Sequence, residues 1–348
     1  MKPLTLSMLG NAVSQVKPRV GFLGLGWIGH RRLEALVESG TVEVAAFSDP
    51  LAANVEACAA LSRGLVTRSF DEMLALDLDG VVIATPSALH AEQTIAALES
   101  GCSVFCQKPL GRNAAEVRRI IECAKAADRL LGVDLSYRHT AGLREIRELI
   151  RGGKLGDIFA ADLVFHNAYG PQAPWFYDRQ LSGGGCVIDL GIHLVDAALW
   201  VLDQPVVGVS SRIFAGGRPL SARPDAVEDF ATARLDLANG TVIQLACSWR
   251  LHAGREAVIE VAFHGTQGGA AMRNVGGSFV DFRAERFSGT NSEVIAEPPD
   301  EWGGQAAVAW ARQLAVSRGY DPEVERQIEI AVALDAIYAG NSGTSTAP

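Results

Sequence analysis

Several common features are missing from this 348-residue chain. No apolar run reaches the roughly 18 residues of a membrane span, which gives no reason to expect a membrane partner. No basic stretch followed by a long apolar core opens the chain, so residues 1–17 read as a short disordered tail rather than a secretory signal. Positive charge is in deficit: 31 Lys and Arg against 40 Asp and Glu give a formal net charge of −9, which argues against nucleic acid or anionic lipid as partners. The six cysteines (Cys58, Cys102, Cys106, Cys123, Cys186 and Cys247) form no CxxC pair, so reduced, cytoplasmic core thiols are expected rather than a zinc or dithiol site. The 36 glycines and 14 prolines are spread along the chain, which excludes collagen-like and long disordered classes. No internal repeat is visible.

Apolar residues make up 48% of the chain, ample for sizeable cores, and the length suggests about two domains. From residue 19 to 137, short β-branched runs at 20–23, 43–47, 80–84, 103–106 and 131–134 alternate with amphipathic helical stretches, the pattern of a doubly wound parallel sheet. The stretch 113–126 is one such helix: Asn113 is suited to cap it, and Val117, Ile120, Ile121 and Ala124 recur at helical spacing. A linking helix at 142–151 ends at Gly152 and Gly153, and the texture then changes to long alternating strands. Segments 230–237 and 241–249 flank Asn239-Gly240, a strong hairpin signal, with Leu235 and Leu237 on one face and Thr232, Arg234 and Asp236 on the other. Segments 259–263 and 279–282 could extend that sheet, and helices near 305–317 and 322–338 close the chain. The expected fold is α/β, with a Rossmann domain over 18–137, an α+β domain over 138–340 carrying a large open, mostly antiparallel sheet, and tails at 1–17 and 341–348.

The motif Gly24-Leu25-Gly26-Trp27-Ile28-Gly29 directly follows the first strand and opens a helix, the context a dinucleotide-binding GxGxxG requires. The first glycine allows the tight turn, the second admits a pyrophosphate against the backbone, and the third lets helix and strand pack closely. Asp49 lies 20 residues past Gly29 at the end of the second strand, where a carboxylate accepts ribose hydroxyl bonds. With no Arg or Lys directly after Asp49, NAD is expected over NADP, although Arg31 and Arg32 sit where either could reach a phosphate.

Ligands of parallel sheets bind beyond the carboxyl ends of the strands, and two proline turns fall there: Thr85-Pro86, and Lys108-Pro109 preceded by Gln107. Lys108 delivers an ammonium able to stabilise alkoxide charge. In the second domain three glycines, 183–185, precede an apolar helix on which Asp189 and His193 stand at i and i+4, with an imidazole suited to acid-base work. Asp196 follows His193 by three and could share that side. Taken alone, the pair better fits a buried histidine held by aspartate, and no third ligand is placed for a metal.

In this order, the GxGxxG turn, the TP turn, the KP turn and the GGG…DxGxH helix make the chain resemble the Gfo/Idh/MocA oxidoreductases, the family named for glucose-fructose oxidoreductase and inositol dehydrogenase, over residues 20–338. The family's EKP reads Gln107-Lys108-Pro109 here, which removes a negative charge beside the lysine, and its TPNxxH reads Thr85-Pro86-Ser87-Ala88-Leu89-His90. The resemblance implies Lys108, Asp189 and His193 as the catalytic set, and a cofactor site of Gly24, Gly26, Trp27, Ile28, Gly29, Asp49, Thr85, Pro86, His90, Lys108 and Arg138. Tyr137-Arg138 resembles the family's turn between domains. Trp175-Phe176-Tyr177-Asp178 resembles the aromatic stretch bordering its substrate site, so Tyr137, Trp175 and Tyr177 join the catalytic set as substrate contacts. His139, His166, Tyr169, Arg250 and His252 are weaker candidates.

The expectation is an NAD(P)-dependent enzyme moving a hydride between the nicotinamide and a secondary alcohol or ketone of a sugar, inositol or sugar-derived polyol, acting as a homodimer or homotetramer. Two alternatives stay open: an NAD-dependent glycosidase of the same family, and a non-enzymatic dinucleotide sensor.

Overall fold

The computed structural model describes residues 17–223 and 225–340; the expected tails, apart from Lys17, lie outside them. The first domain holds six parallel strands: β1 (Arg19–Leu23), β2 (Glu43–Ser48), β3 (Leu65–Val66), β4 (Gly80–Ile83), β5 (Ser103–Cys106) and β6 (Leu131–Val133). Their spatial order, 3-2-1-4-5-6, reverses direction between β1 and β4, which opens a crevice at the carboxyl ends of those two strands. Helices α1 (Trp27–Ser39), α2 (Ala52–Ala59), α3 (Phe70–Leu74), α4 (Ser87–Glu99) and α5 (Ala114–Ala127) connect them. β4 and β5 are buried at every position, as a sheet covered on both faces requires. The capped helix appears as α5, with the Asn113 side chain accepting from the Glu116 amide.

After α6 (Ala141–Arg151) come β7 (Ile158–Asn167), the short α7 (Arg179–Ser182), a π-helical turn at Val187–Gly191 and α8 (Ile192–Leu202). The remaining strands are β8 (Val206–Ala215), β9 (Arg218–Pro219), β10 (Phe230–Leu237), β11 (Val242–Ser248), β12 (Ala257–Gly265), β13 (Gly269–Asn274), β14 (Phe282–Ser288) and β15 (Asn291–Ala296). They form one nine-stranded sheet with β7 at its centre, parallel to β11 and antiparallel to β12. The predicted hairpin is present: Asp236 pairs with Val242, and Gly240 supplies the turn with φ 88°. The strand expected at 279–282 begins only at Phe282, because the carbonyls of Ser278 and Val280 are taken by Asn274 Nδ2 and Trp302 Nε1. One sheet face packs on α6 and α8. The other exposes Asp162, Thr232, Arg234 and Gln244, with Phe159 and Val207 uncovered at its margin.

The last two helices are α9 (Gln305–Val316) and α10 (Arg326–Gly340), the latter led by a 3-10 turn at Pro322–Glu325. Although α9 follows the second sheet in sequence, it returns to the first domain and packs with α1 on one sheet face, while α4 and α5 cover the other. Its Trp310 ring lies 5.7 Å from Phe105, over the strand backbones at Gly80 and Gly132. A Cβ at either glycine would come within 2.8 Å of the indole, so two bare positions in the sheet make the seat. The stretch Arg179–Leu202 is long and apolar enough for a membrane span by composition, contrary to the expectation that no such run exists, but 78% of its most apolar window is buried inside the protein.

Candidate functional site

The glycine turn is built by close approach. Gly24 has φ 84°, and a Cβ there would lie 2.6 Å from the Ala84 carbonyl carbon; a Cβ on Gly29 would lie 2.1 Å from the Gly24 oxygen. Only bare backbone lets α1 start this near β4. Gly26 differs, since a Cβ there would meet nothing within 4 Å. It caps α1 without any side-chain hydrogen bond, and no acidic residue stands in the first turn. The result is a helix N-terminus with open space before it, which fits a pyrophosphate. Trp27 is 74% exposed beside that space.

Asp49 extends from β2 to this turn. Its Oδ2 accepts from the Leu25 amide at 2.6 Å, and its Oδ1 from the Leu51 amide at 2.8 Å and Asn54 Nδ2 at 3.1 Å. Carboxylate oxygens have about four acceptor sites between them, which leaves one for a ribose hydroxyl. Of the two arginines of α1, Arg32 is buried against Asp134 and Ser136, whereas Arg31 is exposed and pairs through Nη1 with Glu34 at 2.8 Å.

The two proline turns are tied together beneath the crevice. His90 is 1% exposed, its Nδ1 lies 2.7 Å from the Pro109 oxygen and its Nε2 2.7 Å from the Thr85 oxygen. Burial pushes its pKa below the usual 6.5, against the two carbonyls, which favour the cation. Enclosed between the two turns, it is not open to the crevice as a cofactor contact would require; the neutral ring has one N–H to donate to one of the two carbonyls, and its close packing against both holds the Thr85-Pro86 and Lys108-Pro109 turns in register. Gln107 turns its Oε1 back to the Lys108 amide at 2.8 Å.

Lys108 reaches across the domain boundary. Its Nζ donates to Asp189 Oδ1 and to the Asp189 main-chain oxygen, each at 2.7 Å, and both side chains are 15% exposed. The negative charge that Gln107 lacks is thus supplied from the other domain. Asp189 sits in the π-helical turn, a widening often found at functional sites, and its Oδ2 accepts from Trp249 Nε1 at 3.1 Å. Trp249, buried at the end of β11, was not marked by any local pattern in the sequence.

His193 stands at the start of α8 with its ring 4.9 Å from Tyr137 and 6.4 Å from Phe165. Its Nδ1 is buried without a hydrogen-bond partner, and no bond joins it to Asp189, which is committed to Lys108 and Trp249. Burial, then Lys108 and Arg32, hold its pKa well below the usual value. The imidazole is consequently neutral and free to accept a proton. Asp196 is buried and accepts from Arg138 Nε at 2.9 and 3.1 Å, so its carboxylate is committed to that guanidinium. That pairing ties the interdomain turn to α8 through the Arg138 guanidinium.

Two of the three glycines answer to buried neighbours. A Cβ on Gly184 would lie 2.0 Å from the Tyr338 hydroxyl, and one on Gly185 1.9 Å from the Glu228 oxygen. The Glu228 carboxylate, fully buried, accepts from the Gly185 and Val187 amides at 2.8 and 2.9 Å and from the Tyr338 hydroxyl at 2.8 Å. Burial raises its pKa against these three donors. Glu228 and Tyr338 thereby fix the turn that carries Asp189, and neither was legible beforehand.

Of the expected substrate contacts, Tyr137 lies against His193 and Trp302. Tyr177 packs edge-on to Trp249 at 5.7 Å, and Trp175 stacks on Phe176 at 3.8 Å. His166 bonds Ser248 at 2.8 Å and stacks on Phe230, while His139 bonds Arg144 and burial lowers its pKa to about 4. Among the described residues no group of three or more His, Cys, Asp or Glu could hold a metal ion.

Two family models match this geometry: the oxidoreductase family with NAD-binding Rossmann fold over residues 18–135, and the GFO/IDH/MocA C-terminal domain over 143–271. The chain is 31% identical to the rhizopine catabolism protein MocA of Rhizobium meliloti over 73% of its own length and 78% of that protein. The chain belongs to the Gfo/Idh/MocA oxidoreductase family. It is also 29% identical to the D-glucoside 3-dehydrogenase of Escherichia coli, matching 64% of each chain. Among solved structures, a 3-ketoreductase from Actinomadura kijaniata in complex with NADP has the same fold, with a TM-score of 0.80 and 22% identity over 93% of this chain and 98% of that one. As a member of this oxidoreductase family, the chain carries an NAD(P)-binding Rossmann domain.

Proposed function

We propose that this protein oxidises a secondary alcohol of a sugar, inositol or sugar-derived polyol and reduces the matching ketone in the reverse direction. The observation that carries the reading is the meeting of Lys108, from the cofactor domain, with Asp189 beside the neutral His193, from the other domain. The glycine turn and Asp49 would hold a dinucleotide, which when bound would supply the hydride acceptor. His193 takes the hydroxyl proton, for which an uncharged imidazole is required. Lys108 has three N–H groups, two of them committed to Asp189; the third hydrogen-bonds the reacting oxygen and steadies its developing charge. Asp189, pinned by Trp249, fixes where that third proton points.

Gly24, Gly26, Trp27, Ile28, Gly29, Asp49, Thr85 and Pro86 form the dinucleotide site, with Tyr137, Trp175 and Tyr177 around the substrate. Asp49 without a following cation favours NAD over NADP. The open face of the nine-stranded sheet supports a homodimer or homotetramer through that face, and six free thiols are consistent with the cytoplasm. The relatives' sugar and polyol chemistry supports the substrate class.

The test is purified protein with NAD⁺, and separately NADP⁺, against inositols, aldoses and deoxy or amino sugars, read as reduced nicotinamide. Signal with one class, lost in Lys108→Ala and lowered about 10²–10⁴-fold in His193→Ala, is the expected result. Silence across the panel despite NAD⁺ binding would overturn the reading in favour of a glycosidase without net redox change or a sensor.

A further inference from the structure

Among the described residues, three that are not glycine have positive φ. Asp128 and Asp203 are the left-handed caps that end α5 and α8, an ordinary use of that conformation. Arg250, at φ 56°, ends no helix. It directly follows Trp249, the residue that holds Asp189. A left-handed backbone costs an arginine free energy, and such outliers gather at functional sites.

The neighbourhood is shaped around this arginine. Its guanidinium carbon lies 4.9 Å from the centroid of Tyr177, and its Nη2 donates to the Tyr177 hydroxyl at 3.0 Å. Gly170 makes the room: a Cβ there would fall 2.2 Å from that hydroxyl and 3.0 Å from Arg250 Nε. The bracing of Tyr177 does not explain the arginine, since the tyrosine hydroxyl already donates to the Pro171 oxygen at 2.9 Å. No carboxylate forms an ion pair with Arg250 among the described residues. The acid on the adjoining loop, Glu256, accepts from the Tyr169 hydroxyl at 3.4 Å instead. The structure thus offers an exposed guanidinium, stacked on an aromatic wall, with donors free for a planar anion.

Tyr177 in turn packs on Trp249 at 5.7 Å, and Trp249 Nε1 is 3.1 Å from Asp189. A continuous wall therefore runs from Lys108 and Asp189, where the reacting carbon belongs, through Trp249 and Tyr177 to Arg250. We propose that Arg250 binds an anionic group, carboxylate or phosphoryl, borne by the sugar at a position remote from the reacting carbon. This rests on the sugar oxidoreductase reading and narrows its substrate class to acidic or phosphorylated sugars.

The experiment compares D-glucose, D-glucuronate and D-glucose 6-phosphate with the NAD⁺-loaded full chain, by tryptophan fluorescence titration and by turnover, in wild type, Arg250→Lys and Arg250→Asn. Asparagine accepts the left-handed backbone, and NAD⁺ affinity checks that each variant is folded. Wild type is expected to bind one of the two anions about tenfold or more tighter than glucose, with an advantage that fades as salt is raised. That ratio collapses in Arg250→Asn and falls partway in Arg250→Lys, which keeps the charge and loses the fork. Preference for glucuronate assigns a carboxylate, and preference for the 6-phosphate a phosphoryl group. An anion-to-glucose ratio near one in wild type, or a ratio unchanged in Arg250→Asn, overturns the proposal. Arg250-dependent anion binding with no turnover here or across the wider sugar and inositol panel would instead sink the oxidoreductase reading and leave this site standing.

Discussion

Replacing Gly26 by alanine separates what the glycine turn does for the fold from what it does for the ligand. Gly26 has φ −59°, which alanine adopts freely, and the added methyl meets nothing within 4 Å. Glycine is the slightly better helix cap, but alanine removes about 0.4–1 kcal/mol of unfolded-state freedom. The two effects oppose, and ligand-free stability should move by no more than about 0.5 kcal/mol. The space that methyl enters is where a pyrophosphate approaches the α1 amides. Loss of one hydrogen bond to a charged group, about 1.5–3 kcal/mol, weakens binding roughly 10- to 150-fold. Gly29→Ala is the counterpart. Its methyl falls 2.1 Å from the Gly24 oxygen, a backbone atom, so the loop must shift at a cost of about 1–3 kcal/mol. Urea unfolding without ligand and calorimetric titration with NAD⁺ read the two quantities. A Gly26→Ala protein that binds NAD⁺ within twofold of wild type, or that unfolds more than about 1 kcal/mol early, would refute the argument.

Trp249→Phe keeps the ring but removes the donor to Asp189, and should lower kcat about tenfold while KM moves little; steady-state kinetics giving an unchanged kcat would remove Trp249 from the positioning of Asp189. His193 is neutral because its pKa lies well below the usual 6.5, so the acid limb of kcat/KM should fall below pH 6.5, and a midpoint at or above it in the pH profile counts against His193 as base. His90, His139 and His193 all bind protons less readily folded than unfolded, so protonation favours the unfolded chain; urea midpoints should decline as pH drops below about 6.5, and a flat profile down to pH 4 would contradict the burial of these rings. Tyr338→Phe strips one of the three donors from buried Glu228 and should cost about 1–3 kcal/mol in urea unfolding; no loss would mean that the two backbone amides suffice.

What was legible in the sequence had a local cause. The GxGxxG turn, the Asn239-Gly240 hairpin and the Asn113 cap each depend on residues a few positions apart, and each appears where expected. Lys108, Asp189 and His193 were reached through the order of several motifs, and a bond joins the first two across the domain boundary. Residues joined across long separations were not legible. Trp249 lies 60 positions from Asp189, and Tyr338 lies 110 from Glu228, so no spacing rule connects them. The partners of His90 and Arg138 were hidden for a related reason. Their motif positions said that they stand near the crevice, but only their partners, two carbonyls and a buried aspartate, show that they brace it from behind.

The seat of α9 bears on how this protein is made. Chains leave the ribosome amino end first, and amino-terminal domains generally fold first. Here the first sheet lacks one of its covering helices until residues 305–316 have emerged, after the whole nine-stranded sheet. Until then the surface around Val20, Phe22, Val82 and Phe105 stays partly bare. The dinucleotide domain should therefore be completed only late in synthesis, after the strands of the second sheet and shortly before α10 finishes the second domain, and nascent chains halted before α9 should be the ones that chaperones hold.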